Sequence, residues 1–146
     1  MTESVAEGAA STDTVELTVP ADPAYVSVLR TVTASLAARR DFTIDEIDDL
    51  RIAVDEASAL LLPYAAADAS LSAVFGGGEA VLQVQVSVEL ADQAGSAVAA
   101  AGDDRLVLDQ TSFAWMVLAA VADSVSSEHT ADRLSLTLAK ARGARP

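Results

Sequence analysis

The chain has 146 residues, 51% of them apolar, with 22 acidic and 9 basic residues and a formal net charge of −13. That length and composition support one domain with its own hydrophobic core and exclude a wholly disordered chain. The charge opposes direct contact with nucleic acid or an anionic membrane and favours a basic partner. The lack of cysteine removes disulfides, thiolate metal sites and cysteine nucleophiles, and suits a reducing cytoplasm.

Residues 1–13 are acidic and small, without the basic and apolar regions of a signal peptide, and read as a flexible tail. Val15-Glu16-Leu17-Thr18-Val19 alternates apolar and polar, which predicts a strand with one buried face, ended by Pro20. Asp22-Pro23 marks a helix start, with Asp22 as N-cap. Tyr25, Val28, Leu29, Val32 and Leu36 recur at helical spacing as a buried stripe. Arg30 lies off that stripe, and Arg39-Arg40 falls in the last turn, where cations suit the helix dipole.

The second helix is the best marked. Thr43 and Glu46 form a T-x-x-E capping box, and Phe42 and Ile47 have the spacing of a hydrophobic staple. Ile47, Leu50, Val54, Ala57 and Leu61 build its core stripe, and Pro63 closes it. A second face, Asp45, Asp49, Ile52, Glu56 and Leu60, mixes acidic and apolar residues, unlike a merely solvated face.

Leu71 to Phe75 predicts a strand and Gly76-Gly77-Gly78 a hairpin turn. The triglycine lacks the Lys-Ser/Thr and helix start of a phosphate loop. Val81 to Leu90 alternates strongly, with Leu82, Val84, Val86, Val88 and Leu90 on one face. Gln83, Gln85, Ser87 and Glu89 lie on the other, toward solvent or a wet cleft. Ala91 to Asp104 reads as a loop or short lid. Ser112 caps a third helix expected through Val125, and Arg133 to Leu138 predicts a last strand. His129 is the only histidine and reads as a surface residue, so no zinc site is expected. No apolar run approaches the roughly 20 residues of a membrane span.

This order predicts an α/β two-layer sandwich: a mixed, largely antiparallel sheet with helices on one face, in a single domain over 14–140 with a tail over 141–146. With Leu50-Arg51-Ile52-Ala53-Val54-Asp55-Glu56-Ala57 on the second helix and Ser112-Phe113-Ala114-Trp115 on the third, the chain resembles the RsbW-type anti-sigma factors, above all the actinobacterial ones. These are serine kinases with the histidine-kinase-like (GHKL, Bergerat) ATPase fold. The resemblance covers about Val15 to Lys140.

The resemblance implies an E-x-x-x-N motif on the second helix, its Glu a general base near the nucleotide and its Asn a holder of Mg²⁺. Glu56 matches the Glu. The Asn position, four residues on, is Leu60, which offers no oxygen to a hard cation. The D-x-G-x-G box that holds adenine in the family has no match in Val88 to Gly95, where Asp92 and Gly95 stand three apart. The glycine-rich phosphate lid before the third helix is also missing; Ala94-Gly95 and Ala101-Gly102 do not replace it. These departures imply degenerate or lost ATP binding, with ATP and Mg²⁺ as cofactors only if the kinase activity survives. Arg30 lies 26 residues before Glu56, the spacing of a family arginine that contacts partners. The implied partners are a sigma factor and a STAS-type anti-anti-sigma factor, with a homodimer as the assembly and the cytoplasm as the location.

Overall fold

The computed structural model describes residues 13–91 and 112–143. The tail expected before Asp13, the loop beyond Ala91 and the Asp92–Gly95 comparison lie outside the described residues.

Val15–Pro20 forms β1, ending where Pro20 removes a backbone donor. Asp22 caps as expected, accepting a 2.8 Å bond from the Ala24 amide. The turn it caps is a 3-10 segment, Pro23–Tyr25, that leads into α1, Val26–Arg39. The buried stripe of α1 is rotated from the expected one. Leu29, Thr33 and Ala37 are buried, whereas Tyr25 and Val28 are 43% and 38% exposed. Thr33 tolerates burial because its hydroxyl donates to the Leu29 carbonyl at 2.7 Å.

α1 ends in a Schellman turn. The Asp41 amide bonds to Ala38 O and the Phe42 amide to Ala37 O, with Asp41 at φ 62°. The buried Phe42 then precedes the cap of α2, Ile44–Leu61. The predicted capping box is present: Thr43 Oγ1 accepts from the Glu46 amide at 3.1 Å, and Glu46 Oε1 accepts from the Thr43 amide at 2.8 Å. Leu50, Ala53, Val54, Ala57 and Leu61 face the core, and a 3-10 turn at Leu62–Tyr64, holding Pro63, follows the helix.

β2, Ser70–Gly76, and β3, Val81–Glu89, are joined by the triglycine turn. Only the middle glycine is sterically required: Gly77 has φ 109°, and a Cβ there would stand 2.5 Å from the Val81 carbonyl oxygen. α3 spans Phe113–Val121, with Ser112 capping the Trp115 amide at 3.1 Å. The expected helix through Val125 is overturned. Ala122 leaves the helix with φ −112°, ψ 152°, and Ser124–His129 forms β4, which pairs with β5, Arg133–Ala141. Alternation explains the change, because Val125, Ser127 and His129 are half-buried while Ser124, Ser126 and Glu128 are exposed. β5 also outlasts its predicted end at Leu138. Beyond it, Arg142 N bonds to Ala80 O at 2.7 Å and Gly143 N to Glu46 Oε2 at 2.7 Å, so these residues are tied to the fold.

The five strands lie in the order β1-β2-β3-β5-β4, and every pairing is antiparallel. Three registered rows cross the inner face: Val19-Leu71-Val88-Leu134-His129, Leu17-Ala73-Val86-Leu136-Ser127, and Val15-Phe75-Val84-Leu138-Val125. The central members are buried, each worth about 1.5–3 kcal/mol when large and apolar. α2 packs on this face against β3 and β5, flanked by α1 and α3. His129 ends the first row and is half-buried, with Nδ1 buried and unpartnered among the described residues. This corrects its reading as a surface residue.

Candidate functional site

α2 positions the residues singled out in the sequence. Asp49, Glu56 and Leu60 lie one or two turns apart on one face, since residues three or four apart are neighbours on a helix. Asp49 fixes the direction of that face. Its Oδ2 lies 3.4 Å from Lys140 Nζ, and the same ammonium donates to the Val121 carbonyl at the end of α3 at 3.1 Å. Lys140 thereby ties α2, α3 and β5 together with a side chain only 13% exposed. Its charge meets a carboxylate and the negative end of a helix.

Glu56 is half-buried and makes no hydrogen bond or ion pair with another described residue. Leu60, one turn on, is partly buried and packs against the core. Among the described residues, this face offers Mg²⁺ no oxygen at position 60. Position 60 presents methyl groups, and no cluster of three or more His, Asp or Glu suited to a metal occurs among the described residues.

Arg30 is placed by α1 against α2. Its Nη1 donates to Asp55 Oδ2 at 3.4 Å, and its Nε stands 3.3 Å from Oδ1 outside hydrogen-bonding geometry. Arg30 is therefore not the freely exposed helix arginine that its place off the apolar stripe suggests. Burial pushes the Asp55 pKa above the ordinary carboxylate value; the charges of Arg30 and Arg51 and the hydrogen bond from Arg30 oppose this without overcoming it. The pair borders a groove of about 580 Å³ whose apolar wall includes Val26, Ala59, Leu62 and Pro63. Sequence reasoning missed Asp55 as a partner of Arg30, because a separation of 25 residues carries no local periodicity. It also missed Lys140, which sits near the end of a strand with nothing to announce its neighbours.

Gln83, Gln85, Ser87 and Glu89 form the polar face of β3, expected toward solvent or a wet cleft; Ser87 is instead buried and accepts from Arg133 Nη1 at 2.8 Å. All four lie on the sheet face opposite the helices, away from α2. At the far end of α1 a second groove, of about 760 Å³, brings Arg39, Arg40 and Arg142 near Asp13, Asp41 and Glu79, so its charges balance. No helix among the described residues is long and apolar enough to cross a membrane.

Comparison with known proteins agrees with this architecture. Residues 19–140 match the histidine kinase-like ATPase domain family. The chain is 36% identical over 89 residues to the serine-protein kinase RsbW of Bacillus velezensis, covering 59% of this chain and 53% of that protein. It is 43% identical over 53 residues to the serine-protein kinase RsbW of Bacillus subtilis, covering 36% and 33%. It is 34% identical over 115 residues to the anti-sigma-F factor RsbW of Mycobacterium tuberculosis strain H37Rv, covering 79% and 61%. The matched stretches thus span between a third and three fifths of those relatives' own lengths. With the sheet, the helix order and the α2 segment in place, the chain belongs to the histidine kinase-like ATPase domain family as an RsbW-type member.

Proposed function

We propose that the chain is an anti-sigma factor that works by sequestration. It binds an alternative sigma factor in the cytoplasm as a homodimer and releases it when a STAS-type anti-anti-sigma factor competes. Mutually exclusive complexes shift by mass action and need no bond chemistry. The observation that carries this reading is Leu60. It stands one turn after Glu56, where the family resemblance implies an oxygen ligand for Mg²⁺, and it is packed against the core instead. The mycobacterial relative's name as an anti-sigma-F factor supports the same direction. Arg30, at the groove between α1 and α2, is the proposed partner contact.

The second reading is an ATP-dependent serine kinase acting on the anti-anti-sigma factor, with Glu56 as general base. Two observations favour it: the Bacillus relatives are named serine-protein kinases, and the Glu56 carboxylate is uncommitted among the described residues.

The deciding experiment pairs capture with nucleotide binding. Full-length tagged chain is mixed with purified sigma F, and its melting temperature is recorded with and without Mg-ATP. Capture of sigma F without a thermal shift supports sequestration. A clear rise in melting temperature, with phosphate transferred to an anti-anti-sigma factor, overturns it in favour of the kinase. On the sequestration reading Glu56→Ala leaves capture unchanged.

A further inference from the structure

The groove between the start of α1 and the end of α2 contains a charged pair that is poorly made. An arginine guanidinium carries five N–H donors in a planar fork suited to bidentate carboxylate binding. Arg30 uses this fork for one hydrogen bond, at 3.4 Å to Asp55 Oδ2. Asp55 Oδ1 is buried without a hydrogen-bond partner among the described residues, although Nε stands 3.3 Å away. The two side chains are 38% and 37% exposed, and an ion pair so open to solvent contributes little, so this pair is a weak resting arrangement. Around it the wall is apolar, with Val26 on one side and Ala59, Leu62 and Pro63 on the other.

We propose that Asp55 is an internal stand-in for a partner's carboxylate: it holds Arg30 in the free chain and gives it up when a protein segment bearing one carboxylate beside apolar side chains enters the groove. This rests on the reading of Arg30 as a partner contact and adds the group that regulates it. The occupant follows from complementarity. The fork matches a carboxylate, the wall matches aliphatic flanks, and a cationic segment would meet the guanidinium unfavourably. Exchange follows from repulsion, because two carboxylates on one guanidinium disfavour each other, so the incoming group displaces Asp55. The raised pKa of Asp55 agrees with a carboxylate that its surroundings undercompensate. Free chain in the closed state binds its partner more weakly by the fraction that is open.

The test uses full-length wild type, Asp55→Asn, Arg30→Ala and the double variant, with two probes. The first is isovalerate, a carboxylate on an aliphatic stem, titrated while the arginine Nε–H signals are followed by NMR. Asp55→Asn is expected to bind isovalerate more tightly than wild type, with the largest shift at Arg30 and no response in the double variant. Equal or weaker binding by Asp55→Asn overturns the proposal. The second probe is purified sigma F. Asp55→Asn is expected to raise its affinity about two- to fivefold, the scale of a half-exposed ion pair, and Arg30→Ala to cancel the gain. An unchanged or reduced affinity overturns the exchange and assigns the pair to holding α1 on α2. If sigma F is captured by no variant while the isovalerate result holds, the exchange stands and the sigma-factor reading falls.

Discussion

Asp55 shows how burial can outweigh two nearby cations. Its folded-state pKa lies above the unfolded carboxylate value, so the folded chain holds that proton more tightly than the unfolded chain. Stability is therefore lost as pH rises from the unfolded value through the raised folded one, and the loss is absent in acid. Asp55→Asn removes this loss. Urea unfolding is expected to give the variant its largest advantage over wild type near pH 7, with the advantage shrinking toward about pH 3.5. An advantage that grows in acid would contradict the assignment. Gly77 makes a second residue-scale point. Only this member of the triglycine has a positive φ and a backbone oxygen in the place of a Cβ. Gly77→Ala is expected to cost about 1–3 kcal/mol in equilibrium unfolding, whereas Gly78→Ala, with open space, is not. The sequence marked the turn but could not separate the three glycines, because their difference lies in a contact made across the hairpin.

At the scale of elements, legibility followed how locally each one is specified. α2 was readable from end to end because its cap, its core stripe and its closing proline all lie within the helix or next to it. Thr43→Ala is expected to destabilise the chain by about 1 kcal/mol, and Thr43→Ser to keep most of the cap, as measured by chemical denaturation. A full loss in the serine variant would show that the capping box is not what starts the helix. β4 was not readable. Ser124, Ser126, Ser127 and Glu128 carry little apolar signal, and only pairing with β5 makes this edge segment a strand. The preceding apolar run therefore predicted a helix that continued too far. α1 was placed correctly and its face misjudged. The position of α2 decided which side is buried, so Leu29, Thr33 and Ala37 were chosen over Tyr25 and Val28.

At the scale of the whole molecule, a chain of net charge −13 presents Arg30 at the groove between α1 and α2. Long-range attraction and local recognition are then separate effects. On the proposed reading, the overall charge would speed encounter with a partner that is basic on average, and the groove would select the carboxylate that docks. If the sequestration proposal holds, the association rate with a sigma-factor partner is expected to fall severalfold as ionic strength rises from about 20 mM to about 300 mM, with a smaller change in dissociation rate, as read by stopped-flow mixing. A salt-independent association rate would remove the steering. By itself the sequence determined the strand alternation, the capped second helix, the hairpin and the family resemblance, because strand and helix periods and cap chemistry are written in neighbouring residues. Only the tertiary structure decided that Lys140 binds Asp49 and the end of α3, that β4 completes the sheet, and that Arg30 is already held by Asp55. Each of these joins residues distant in the chain, and what selects them is burial and charge in three dimensions.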